Sequence, residues 1–90
     1  MASTKVIIPN EDPDAVLLAI YRILGERNII YFEPNQSIFS IKCTGSSKER
    51  FEFHISIALN YKEVVVFFQH YSGDPNPCVQ VAQELRHTFE

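Results

Sequence analysis

The sequence predicts an α+β fold: a two-layer β-α-β-β-β-β-α domain, an antiparallel sheet with two helices on one face. Three observations carry that prediction. The stretch Phe51-Glu52-Phe53-His54-Ile55-Ser56-Ile57-Ala58-Leu59 alternates strictly, with every odd position apolar, as a strand with one buried face does. Val64-Val65-Val66-Phe67-Phe68-Gln69-His70-Tyr71 is apolar on both parities, the mark of a strand covered on both sides. Two further stretches, near residues 13–27 and 78–89, repeat apolar residues at helical spacing. Successive strands joined by short loops form a meander, and helices with one apolar stripe each are satisfied by sharing one sheet face.

Taken in order, Lys5-Val6-Ile7-Ile8-Pro9 is β-branched and stops at a proline, which predicts a short strand at an edge. Asp12-Pro13-Asp14 opens a helix: Asp12 caps, Pro13 fits the first turn, and Asp14 suits the positive end of the dipole. The helix runs from about Pro13 to Arg27 on the stripe Val16, Leu17, Ile20, Ile23 and Leu24, and Asn28 terminates it in the left-handed region. Gly25 weakens its last turn.

Ile29 to Glu33 reads as a second strand, Pro34-Asn35-Gln36 as a turn, and Ile38 to Thr44 as the returning strand. On that strand Phe39, Ile41 and Cys43 face in, and Ser40, Lys42 and Thr44 face out. Gly45-Ser46-Ser47-Lys48-Glu49 is a polar loop before the two strands described first. After Ser72-Gly73 a closing helix starts at Asp74-Pro75 or Asn76-Pro77. It carries Cys78, Ala82, Leu85 and Phe89 on one stripe with Val81 beside it, and turns Gln80, Gln83, Glu84 and Arg86 to water.

Ninety residues make a single domain, expected to be one piece of a longer protein. With 8 basic against 11 acidic residues the net charge is −3, so the chain lacks the overall basic footprint of a nucleic-acid binder. Two cysteines, Cys43 and Cys78, are too few for a secreted disulfide scaffold, which places the domain in a reducing cytoplasmic compartment. No apolar run approaches the ~20 residues that span a bilayer.

Chemistry-bearing patterns are missing. His54, His70 and His87 show no metal-ligand spacing, and the two cysteines form no C-x-x-C. Only Gly25, Gly45 and Gly73 are available, with no phosphate-cradling loop among them. No catalytic residue, metal site, cofactor or small-molecule substrate is expected, and the domain itself is read as non-catalytic.

Binding is the remaining function class, and two surfaces compete for it. If Val64, Val66 and Phe68 point to the helices, Val65 and Phe67 point away from them, and Ile30 and Phe32 meet the same conflict on the second strand. These four residues form an exposed apolar patch suited to a protein partner, unless the N-terminal arm or a loop covers them. Lys42, Lys48, Arg50 and Lys62 are the alternative, an anionic-lipid patch worth about 1 kcal/mol per charge at a membrane surface, opposed by Glu49 and Glu52.

Three stretches together resemble kinase-associated domain 1, the C-terminal module of microtubule-affinity-regulating kinases and related members of the AMP-activated kinase group. They are Asp12 to Val16 with Ile20 to Leu24 and Asn28 to Tyr31, then Phe51 to Ile55, and finally Val66 to Asp74 with Val81 to Leu85. The likeness covers Lys5 to Leu85 and rests on combination and spacing. It implies the fold already described and a regulatory role in a serine/threonine protein kinase. The partner it implies is the kinase domain in cis or a partner subunit, or an anionic membrane bearing phosphatidylserine, with peripheral membrane localisation in that case. Lipid-binding members carry basic residues before the Ser-Gly turn, where this chain has Gln69 and His70, and the loop Asn60 to Glu63 is short of them too. That departure favours autoinhibition or subunit docking by protein contact. A stand-alone adaptor unrelated to kinases is the second alternative.

Overall fold

The computed structural model describes residues 3–33, 40–45 and 48–90. The elements follow the expected order: β1 (Ser3–Pro9), α1 (Pro13–Glu26), β2 (Ile30–Phe32), β3 (Ser40–Thr44), β4 (Phe51–Asn60), β5 (Glu63–Gly73) and α2 (Asn76–Thr88). The expected turn at Pro34 to Gln36, the facing of Phe39 and the loop residues Ser46 and Ser47 lie outside the described residues.

The five strands form one antiparallel sheet in the order β1-β5-β4-β3-β2. Strands β2 to β5 are the expected meander. The first strand closes the sheet by a long-range pairing with β5, which sets Val6 opposite Val66 and Ile8 opposite Val64.

Side-chain alternation then builds the core on one face. Val6 and Ile8, Ile41 and Cys43, Phe53, Ile55 and Ile57, and Val64, Val66 and Phe68 are buried there. They share one cluster with Val16, Ile20, Ile23 and Leu24 of α1 and with Cys78, Val81, Ala82 and Leu85 of α2, so both helices cover the same face. No polar or charged residue is buried among the described residues, so the core owes nothing to internal ion pairs.

Local chemistry fixes the helix ends. The Asp12 carboxylate accepts the Asp14 N–H at 3.0 Å, and Asn28 ends α1 at φ 57°. Asp74 performs a similar service before α2, accepting the Asn76 N–H at 3.0 Å. Gly73 is required at its position: φ is +76°, and a Cβ there would lie 2.1 Å from the Arg50 carbonyl oxygen.

The helices meet along a polar seam that the helical stripes do not show. Arg27 donates from Nε to Glu84 at 2.7 Å and from Nη1 to Gln80 at 3.1 Å. Gln80 and Glu84, read as water-facing, therefore hold the helices together, because α1 and α2 pack side by side on the sheet.

Candidate functional site on the open sheet face

With both helices on one side, the sheet's other face has no layer against it among the described residues. The register gives its composition. Lys5, Ile7 and Pro9 of β1 lie beside Phe67, Val65 and Glu63 of β5, and Val65 lies beside Ala58 of β4. Next along β4, Ser56 adjoins Phe67 and Ser40, while His54 adjoins Gln69 and Lys42. Phe32 then flanks Lys42, and Ile30 flanks Thr44, at the far edge.

Two regions result. The first is an apolar corner at the β1 edge. Ile7 is 49% exposed and Phe67 43% exposed, while Val65 between them is 4% exposed. Val65 does turn away from the helices, but the expectation that it forms part of an exposed patch is corrected. It has Ile7 and Ala58 as cross-strand neighbours and is the floor of the patch, with Ile7 and Phe67 as its accessible surface. Ile7 was missed as a site residue. Strand alternation puts it outward, yet only the long-range pairing of β1 with β5 sets it beside Val65.

The second region is a polar and aromatic cluster across β2 to β5. A bulge places Tyr71 off the β4–β5 ladder, since Phe53 faces His70 and Glu52 faces Ser72. The Tyr71 ring thereby reaches His54, with centroids 4.1 Å apart, and its hydroxyl donates to Gln69 at 3.3 Å. His54 Nε2 lies 3.0 Å from the Glu52 carboxylate, which Lys42 Nζ approaches at 4.0 Å. The same ammonium stands 5.5 Å from the centre of the Phe32 ring. Glu52 is thus flanked by two cationic or potentially cationic groups, and the cluster is a partly buried hydrogen-bonding surface. Ile30 and Phe32, at 56% and 51% exposed, sit at the β2 edge, across β3 and β4 from the Ile7–Phe67 corner. The four predicted apolar residues therefore share a face without forming one continuous patch.

The basic set is dispersed. Lys48 and Arg50 line a cavity of about 430 Å³ with Glu49, Asp74, Asn76 and Gln80. Lys42 is engaged with Glu52 on the open face. Lys62 lies in the β4–β5 turn at φ 62°, beyond the opposite end of β4. Ten strand residues separate it from Arg50, about 30 Å at ~3.3 Å per residue. One basic surface uniting all four is not what the fold builds.

Three groups away from the open face are shifted chiefly by burial. Burial, with a smaller contribution from Cys78, pushes the Cys43 thiol up to about 12, and burial pushes Cys78 up to about 11. Both cysteines are free and buried. Tyr21 is raised to about 12 by burial and then by its hydrogen bond to Glu33, and its ring stacks on Tyr31 at 5.2 Å. The described residues contain no group of three or more His, Cys, Asp or Glu side chains able to hold a metal ion. Among them no helix is long and apolar enough to cross a membrane.

No protein-family model and no curated protein matches the chain.

Proposed function

We propose that this chain is a non-catalytic binding module that works by protein–protein contact through the open face of its sheet. One observation carries the reading: Ile7 and Phe67, two large apolar side chains, stand outward over the buried Val65 on a face that neither helix covers. The resemblance to kinase-associated domain 1 supplies the biological setting. In that setting the module regulates a serine/threonine protein kinase by holding its catalytic domain or docking a partner subunit.

Binding of the kinase catalytic domain, in cis or as a separate polypeptide, tests this with an Ile7→Asp/Phe67→Asp double variant. Both positions are exposed, so the variant keeps its circular-dichroism spectrum and loses binding. Full binding by the folded variant contradicts the reading. Phosphatidylserine vesicles give the competing lipid reading its own test, and the dispersal of Lys42, Lys48, Arg50 and Lys62 predicts no pelleting above that with neutral vesicles.

A further inference from the structure

We infer that the open face docks a second copy of this chain, as a two-fold dimer centred on the Ile7–Val65–Ala58 row. The inference rests on the reading of this face as a protein-contact surface and names its partner. Lys5 lies two residues before Ile7 on β1, and Glu63 lies two residues before Val65 on β5. Because these strands are antiparallel, the two charges flank the apolar row on opposite sides, and both side chains share the outward parity of Ile7 and Val65.

Neither side chain has an ion-pair partner among the described residues. A two-fold axis laid along the row exchanges its two sides. It sets the apolar row on its own copy and places each Lys5 beside Glu63 of the second copy, twice per dimer. The row is therefore complementary to itself in apolar character and its flanks in charge, as an isologous interface requires, with Phe67 falling over the Glu63 position of the second copy. An unrelated partner would need no such opposition across the row.

Edge-to-edge association is a poorer route to the same dimer. Asn10 N donates to Lys62 O, and the ladder alternation that continues from it turns the backbone groups of Lys5, Ile7 and Pro9 to the free edge of β1. Pro9 has no N–H to offer there, and the Arg86 guanidinium approaches the Lys5 carbonyl at 3.5 Å. Face-to-face stacking avoids both obstacles.

Sedimentation velocity over a concentration series, on the full 90-residue chain, tests the proposal. Wild type shows a monomer–dimer equilibrium. Lys5→Glu and Glu63→Lys each weaken the dimer about tenfold, since two cross-interface pairs become repulsive, and the charge-swapped double variant recovers to within about threefold of wild type. A double variant no better than the single ones overturns the arrangement. A wild type that stays monomeric overturns it too, and the Ile7→Asp/Phe67→Asp binding assay then decides separately whether the face contacts other proteins. Far-UV spectra of all variants identify any loss caused by unfolding, in which case Lys5→Gln and Glu63→Gln, each weakening the dimer less than charge reversal does, replace them.

Discussion

Ile7 of β1 faces Val65 of β5 across the edge pair of the sheet, on the side away from both helices. Ile7 is exposed and Val65 is buried, so neighbouring residues of one apolar row have opposite relations to solvent. That difference separates the residues that hold the sheet together from those available to a partner.

Substitutions at the two outward β5 positions should therefore diverge. Val65→Asp buries a carboxylate without a partner and is expected to destabilise the fold by about 3 kcal/mol or more. Phe67→Asp lies at an exposed position and is expected to cost less than about 1 kcal/mol. Urea denaturation of the two variants, with equal slopes, checks the contrast.

Much of this was legible beforehand. The alternation of β4 announced its buried face through Phe51, Phe53, Ile55 and Ile57, and the stripe of α1 announced Val16, Ile20, Ile23 and Leu24. The outward turn of Phe67 followed from the parity of Val66 and Phe68. The burial of Val65 did not, because it depends on which strand lies beside β5, and pairing between residues 3–9 and 63–69 leaves no periodic trace in either segment. The bulge that brings Tyr71 onto His54 was hidden for a similar reason: an extra residue in a ladder is a property of two strands together.

Glycine replacements should also differ in sign. Gly25 lies within α1 and a Cβ there meets nothing within 4 Å, so Gly25→Ala is expected to stabilise by about 0.5–1 kcal/mol. Gly73→Ala combines a left-handed φ with a clash against the Arg50 carbonyl and is expected to cost about 2 kcal/mol or more. Thermal midpoints of the two variants should move in opposite directions.

The seam between the helices makes a smaller contribution. Arg27→Ala removes donors to Glu84 and Gln80, but the Arg27–Glu84 pair is partly exposed. Its loss is expected to cost about 0.5–1 kcal/mol after solvent screening. A double-mutant cycle with Glu84→Ala isolates the pair, and its coupling should shrink in 1 M salt, where the screening length falls to about 3 Å.

Alkaline pH should unfold the domain through groups whose pKa is raised by folding. Cys43 rises from 9.0 to about 12, Cys78 from 9.0 to about 11 and Tyr21 from 10.0 to about 12. Each is held neutral in the folded state, so its contribution is complete below the unfolded value and is lost as pH climbs toward the folded one. Stability should be insensitive to these three groups below pH 9 and should fall between about 9 and 12. At neutral pH both thiols should react with a disulfide reagent only on the timescale of unfolding, and fast labelling of either would contradict their burial.

The central claim is that this chain meets protein through the open face of its sheet, beginning with its own copy. Amide chemical shifts of the isotope-labelled chain, recorded from dilute to concentrated solution, address it most directly. The predicted result is movement concentrated at Lys5, Ile7, Glu63, Val65 and Phe67. Movement confined to exposed helix positions such as Leu18 and Val79 would contradict it, and an unchanged spectrum would contradict docking of the chain on its own copy.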